Sequence, residues 1–293
     1  MVAGSGGPDS TALASATAFV APRLGLTAGF ACADQHWSSG STAQSRTAVA
    51  AAANLGLQPA EIVDAPADRS EGAARVARRA GLLAAAKRQG AAAILLGHTL
   101  DDQAETVLLG LARGSGSRSL AGMAAVRGPF RRPLLALPRA LVRLACGQSG
   151  LTPWEDPHNS DPAYARVRVR TVALPALEAA LGPGVAAALA RSAAALREDA
   201  DALDALAQAA ATDDVAVLSA LPAAVRARVL KRFAEAACGS PVTSAHVTAL
   251  RALVEHWAGQ GPVALPGGVR VERAGPRLAC VHDGRAHHGP VPD

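Results

Sequence analysis

In the first 114 residues, short apolar runs and helix-like stretches take turns. That alternation is the signature of a parallel sheet covered by helices. Strands are read at "MVAG" (1–4), "LTAGFACA" (26–33), "AEIVDA" (60–65) and "AAILLGH" (92–98). Helices are read at 41–56 and 71–90, each stopped by a glycine, and at "DDQAETVLLGLARG" (101–114). Sheets of this kind hold ligands beyond the carboxyl ends of their strands. Polar clusters follow three of these strands, after "MVAG", after "FACA" and after "AILLG".

The first cluster, "SGGPDS" (5–10), combines residues suited to a tight turn and a helix start. Glycine allows close backbone approach, proline fixes φ, and Ser10 and Thr11 favour a helix N-terminus. Strand end, turn and helix N-terminus together form a cradle for phosphate. The plain alternative is a surface turn. No GK[ST] follows the glycines and no GxGxxG stands at the right place, so neither common nucleotide loop is present.

The second cluster carries carboxylates. On a helix, Asp101 and Asp102 share a face with Glu105, four and three residues on. Their mutual repulsion calls for a metal or a cationic substrate, the alternative being an acidic helix start favoured by the macrodipole. "RGSGSRSL" after it is a basic glycine-serine loop that suits phosphates or a plain linker. Arg75 and Arg78 lie three apart on the 71–90 helix, where a solvated face is the simpler reading. Arg166, Arg168 and Arg170 alternate and would share one side of an extended segment.

Composition narrows the class. Half of the 293 residues are hydrophobic, and Lys87 and Lys231 are the only lysines, so arginine carries nearly all the positive charge. A net charge of +5 permits a polyanionic partner. Cys32, Cys146, Cys238 and Cys280 are widely spaced, which argues against a structural zinc site or a disulfide framework and fits a reducing cytoplasm. "ALASATAFVA" (12–21) follows Asp9 without an opening Lys or Arg, unlike a secretory signal, and no apolar run is long enough to span a membrane.

The second half reads as a long connecting helix (181–211), then helices carrying Arg226, Arg228, Lys231 and Arg232. A serine-capped helix from "SAHV" and a terminal hairpin within 262–281 follow. The tail "DGRAHHGPVPD" (283–293) is read as disordered, and the histidines show no metal spacing.

Taken together, these residues resemble the tRNA(Ile)-lysidine synthetase family. "SGGxDS" is similar to the pyrophosphate loop of the N-type ATP pyrophosphatases, and residues 96–123 follow the family's "LGHxxDDQxETxLxxLxRGSGxxxLxGM" almost throughout. "RRPLLALPR" (131–139) resembles its continuation. So does 154–178, with Trp154, Glu155, Asp156, Asn159, Arg166, Arg170 and Leu174–Pro175 in the family's order. "LPAAVRARVLKR" and "WAGQGPVALPGGVRVER" are similar to the small C-terminal domain of actinobacterial-type members.

The resemblance implies an α/β fold: a parallel-sheet ATP pyrophosphatase domain (1–175), a helical linker (176–212) and a small α+β tRNA-contacting domain (213–293). It implies a cytoplasmic ligase that adenylates C2–O of the wobble cytidine in the CAU anticodon of tRNA(Ile). Free L-lysine then displaces AMP. ATP enters as a substrate with Mg²⁺, no tightly bound cofactor is needed, and the family precedent allows a homodimer. Ser5, Gly6, Gly7, Pro8, Asp9, Ser10, Asp34, Gly97 and His98 are expected at ATP, with Asp9 and Asp102 at the metal. Asp9, Asp102, Glu105, Arg75 and Arg78 are the catalytic candidates. Arg113, Arg166, Arg170, Arg226, Arg228, Lys231 and Arg232 are expected to contact tRNA.

Three departures stand out. Gln35 occupies the place of a family histidine, with His36 one later; Arg79 replaces an aromatic; and the first strand is short. They keep open a degenerate tRNA binder as the alternative. A tRNA sulfur transferase fits less well, since such enzymes carry paired cysteines.

Overall fold

The computed structural model describes residues 1–36, 40–66, 71–154 and 160–282. Glu155, Asp156, Asn159 and the tail 283–293 lie outside the described residues. The chain divides into two compact units, Met1–Arg197 and Glu198–Asp293.

The first unit opens with β1 (Val2–Gly4), α1 (Pro8–Arg23), β2 (Phe30–Asp34), α2 (Ser41–Asn54), β3 (Ala60–Asp64) and α3 (Glu71–Arg88). β4 (Ile94–Leu96), α4 (Leu100–Leu111), α5 (Ser117–Leu120), β5 (Val126–Arg127) and β6 (Phe130–Arg131) follow. α6 (Arg139–Gln148), α7 (Ala165–Arg168) and α8 (Leu174–Leu181) complete it, and the boundary falls within α9 (Val185–Ala209). The sheet order is β3-β2-β1-β4-β6-β5, parallel except for the antiparallel edge strand β5.

This order positions the site. The chain lays down β2 and β3 on one side of β1, then crosses back to place β4 on the other. β1 and β4 are thus neighbours whose following segments diverge, the switch point at which open sheets bind ligands. β1 is only three residues long, yet it pairs on both edges, Val2 facing Phe30 and Leu95. Its last residue is Gly4, where a Cβ would stand 2.2 Å from the Phe30 ring. Val2, Ala31 and Ile94, each 0% exposed, fill the sheet's core.

In the second unit α10 (Val215–Ala220), α11 (Ala223–Cys238) and α12 (Ser244–Glu255) pack with the antiparallel sheet of β7 (Val263–Ala264), β8 (Val269–Ala274) and β9 (Arg277–His282). Leu218, Leu230, Leu250 and Leu253 are fully buried there. At about 1.5–3 kcal/mol per buried aliphatic side chain, they dominate its cohesion.

Three local expectations are corrected. Residues 165–173 are helical rather than extended: α7 runs into a π turn over Val169–Ala173. On that helix Arg166 and Arg170, four apart, share a face, while Arg168 turns back to the carbonyls of Pro162 and Ala163. The alternating Val and Arg fit a strand period, but two ion pairs to Glu105 outweigh that local preference. The connecting helix begins at Val185, because Gly182 and Gly184 take φ of 89° and 103°. The cap of α12 is Thr243, whose hydroxyl accepts from the His246 N–H, and not the following serine.

Candidate active site

"SGGPDS" forms the turn between β1 and α1. Gly6 takes φ 79°, and Pro8 sits at the first position of α1, where its missing N–H costs nothing. The loop's carbonyls are tied inward. Ser10 Oγ donates to Gly7 O (3.0 Å), Thr11 Oγ1 to Gly6 O (3.2 Å) and the Trp154 N–H to Gly6 O (2.8 Å). No side chain caps the first turn of this 16-residue helix. Its open N–H groups and positive dipole end therefore face whatever enters from β1.

The segment after β4 lies against this turn. A Cβ on Gly97 would stand 3.1 Å from the Asp9 carbonyl, so only glycine lets the two backbones approach so closely. Thr99 then caps α4 in a reciprocal box: Asp102 N–H donates to Thr99 Oγ1, and Asp102 Oδ2 accepts from Thr99 N–H (2.8 Å) and Oγ1–H (2.9 Å).

The carboxylates are balanced by arginines. Arg139 Nη2 bridges Asp102 Oδ1 (2.9 Å) and Glu105 Oε1 (3.0 Å). Arg170 Nε reaches Glu105 Oε1 at 2.7 Å and its Nη2 reaches Oε2 at 3.1 Å. Arg166 Nε lies 3.4 Å from Glu105 Oε2, and its Nη2 donates to Thr106 Oγ1 (2.6 Å). Glu105 is 0% exposed. Arginines of the protein itself thus offset the repulsion between the two acids. Burial opposes the charge on Asp102, but Arg139 and the Thr99 hydrogen bonds outweigh it and hold its carboxyl below the usual range. Arg139 is correspondingly raised against its own burial. Asp101 helps to place it: Asp101 Oδ2 accepts the Arg139 backbone N–H (2.7 Å) at the start of α6.

Above this cluster lies a cleft of about 490 Å³. Ser5, Gly7, Pro8, Asp9, Ser10, Asp34, Gly97, His98 and Asp102 line it, together with Arg78, Arg166 and Arg170. Arg139, Arg143, Trp154 and Tyr164 line it too, and none of these was assigned a role from sequence. Three buried polar atoms of its wall lack a hydrogen-bond partner: Asp9 Oδ1, Arg139 Nε and Arg166 Nε. A buried acceptor and two buried donors left open carry a desolvation cost that a bound ligand would recover. Burial pushes the Asp9 carboxyl up, with Arg139 opposing.

Other candidates fall elsewhere. Gly6 faces a separate, more apolar pocket beside Trp154. Glu105 lies beneath the cleft, Arg75 is exposed on α3, and Arg113 is exposed past the end of α4. Asp34 lines the cleft, but its oxygens are taken by Ser41 Oγ (2.8 Å), Thr42 Oγ1 (2.6 Å) and the His36 N–H (3.0 Å). Gln35 accepts from Arg78 Nη2 and donates to Ala74 O, both at 2.8 Å, so it positions α3 against the cleft. In the second unit Arg226 pairs with Glu255 and holds the carbonyls of Ser219 and Leu221. Arg228 pairs with Asp204, while Lys231 and Arg232 are exposed.

His98 has an identifiable protonation state. Arg132 Nε donates to its Nδ1 (3.1 Å), which leaves the ring proton on Nε2. Burial, then Arg132, Arg166 and Arg75, lower its pKa to about 4, against Asp102. The unfolded chain takes up this proton near pH 6.5 and the folded one only near 4, so stability is lost as pH falls through that window. The full difference is roughly 3 kcal/mol. His98→Gln is expected to remove that share of the acid limb in urea unfolding at pH 7 and pH 4; an unchanged limb would contradict it.

Two family descriptions match the chain: a PP-loop domain over residues 1–177 and a TilS substrate binding domain over residues 214–280. The tRNA(Ile)-lysidine synthase of Thermobifida fusca is 52% identical over 97% of this chain and 90% of its own length. That of Streptomyces coelicolor is 51% identical over 95% and 84%. Among solved structures, the U34-tRNA thiolase NcsA from Methanococcus maripaludis shares the fold, with a TM-score of 0.55 and 20% identity over 67% of this chain and 71% of that one.

Proposed function

The chain belongs to the tRNA(Ile)-lysidine synthase family, and from that premise we propose that it uses ATP to join free L-lysine to C2 of the wobble cytidine in the CAU anticodon of tRNA(Ile). The observation that carries this reading is the cleft at the β1/β4 switch point. There an uncapped helix N-terminus meets two buried guanidinium N–H groups and one carboxylate oxygen that make no hydrogen bond.

The residues serve two steps. In the first, the cytidine O2 attacks the α-phosphorus of ATP and pyrophosphate leaves. The first-turn N–H groups of α1, the Ser5 and Ser10 hydroxyls and Arg139 take up the charge that moves onto the leaving group. Asp9 Oδ1 is the oxygen that would hold a Mg²⁺ arriving with ATP, which would supply screening of the phosphate charge. Asp102 fits that task less well, since Thr99 and Arg139 take both its oxygens. Among the described residues no three His, Cys, Asp or Glu side chains gather to bind a metal.

In the second step the lysine ε-amine attacks C2, a C–N bond forms, the C2–O2 bond breaks so that this oxygen leaves with AMP, and the amine gives up its proton to solvent. Arg139 Nη2 now occupies the position between Asp102 Oδ1 and Glu105 Oε1 where the ε-ammonium would bind. Its Nε makes no hydrogen bond and lies 3.8 Å from Asp9 Oδ2, so turning toward an incoming phosphate leaves Asp102 Oδ1 with Arg170 alone, at 3.5 Å, and able to orient the amine. Neutral His98 keeps an Nε2–H donor at the cleft wall for a base or phosphate oxygen. Lys231 and Arg232 in the second unit add salt-dependent grip on the RNA backbone.

The two steps separate experimentally. Mg·ATP with a CAU transcript and no lysine is expected to release pyrophosphate and accumulate adenylated tRNA. Release that is equal without tRNA, or absent with it, would contradict the order proposed.

A further inference from the structure

A second basic region lies on the first unit beside His98, at the β5–β6 edge of the sheet. Arg132 follows β6 directly and is 8% exposed. Its Nε holds His98 Nδ1, and its Nη1 holds Ala124 O at 2.7 Å. Arg127 pairs in register with Phe130 across the β5–β6 hairpin. The Arg79 guanidinium lies over the same Phe130 ring, 4.6 Å from its centroid. Arg75, one helical turn before Arg79, is exposed on α3.

These side chains lie close enough to weigh on one another. Burial, and after it the charges of Arg75, Arg127, Arg79 and Arg197, hold the Arg132 pKa below the usual arginine value. Among the described residues no carboxylate forms an ion pair with Arg75, Arg79, Arg127 or Arg132. This differs from the cleft, where Asp102 and Glu105 balance their arginines. Crowded like charges cost energy unless a polyanion offsets it. Arg79 adds to the charge, its guanidinium lying over the Phe130 ring, the residue that Arg127 faces across the hairpin.

We propose that Arg75, Arg79, Arg127 and Arg132 form a phosphate-binding patch that carries the RNA backbone past the His98 edge of the cleft, a role that rests on the tRNA reading above. Arg132 is the buried link, holding His98 on one side and standing among the exposed arginines on the other. RNA fits better than a free nucleotide, because the exposed charges span α3 and β5 rather than closing around one phosphate. Such contacts position a strand without reading its sequence.

The test is tRNA binding by fluorescence anisotropy across a salt series, with the full chain and a CAU transcript. The double variant Arg79→Ala/Arg127→Ala is expected to bind roughly ten-fold more weakly, with a log–log salt slope lower by about two, one for each phosphate no longer neutralised. Arg79→Lys/Arg127→Lys keeps the charge and is expected to retain the wild-type slope. A folded alanine double variant with wild-type affinity and slope would overturn the patch, as would a lysine pair that loses as much as the alanine pair. Wild type that binds no tRNA would overturn both this proposal and the function it rests on.

Discussion

Glu105→Ala is expected to lower the unfolding free energy of the first compact unit by about 3–5 kcal/mol, the cost of removing one partner from a buried ion pair. Glu105 is fully buried at the meeting point of Arg139, Arg166 and Arg170. Without it Arg139 keeps Asp102 and Asp9, Arg170 keeps only the longer contact to Asp102, and Arg166 loses its ion pair; the last two come from α7 and the π turn that follows. Their repulsion would loosen that segment from α4. Glu105→Gln is expected to fall between, since an amide oxygen still accepts a hydrogen bond but carries no charge. Urea unfolding of both variants checks this; a Glu105→Ala midpoint within about 1 kcal/mol of wild type would mean that the cluster contributes little.

Asp9 should behave in the opposite way. Asp9→Asn is expected to cut tRNA-dependent pyrophosphate release by about 10²–10³-fold, the range for removing one preorganised electrostatic contact. Stability should not fall by more than about 1 kcal/mol, the upper worth of an acidic group in a helix's first turn. Burial raises the Asp9 carboxyl, so the charged form is disfavoured in the folded state. Whatever stability the group supplies is present below its unfolded pKa and lost as pH rises through the folded one. At neutral pH the substitution therefore removes a buried charge that folding disfavours. Activity retained with Asp9→Asn would contradict the role given to it, and activity and stability lost together would show that Asp9 serves the fold instead.

The contrast between these two acids marks what the sequence could tell. The alternating strands and helices, "SGGPDS" and "DDQAET" are local patterns, and the sheet order brings them to one switch point. The arginine partners of Glu105 are not local: Arg139, Arg166 and Arg170 lie 34, 61 and 65 residues away in the chain, and only the fold joins them. "RRPLLALPR" contained Arg139, yet nothing in that stretch separates it from Arg131 and Arg132. The cap was legible and missed: Thr99 with Asp102 three residues on is a capping pattern, and it accounts for one carboxylate oxygen that had been given to a ligand. Arg166, Arg168 and Arg170 misled because alternation is a strand signal, whereas helical spacing pairs only the outer two.

The central claim is that this cleft joins lysine to one base of one tRNA. Labelled lysine, Mg·ATP and purified protein should be incubated with the CAU transcript and with a transcript differing only at the wobble position. Label in the CAU transcript alone, dependent on ATP, is the predicted result. Label in neither transcript, with both still bound, would contradict it and leave a protein that holds tRNA without modifying it.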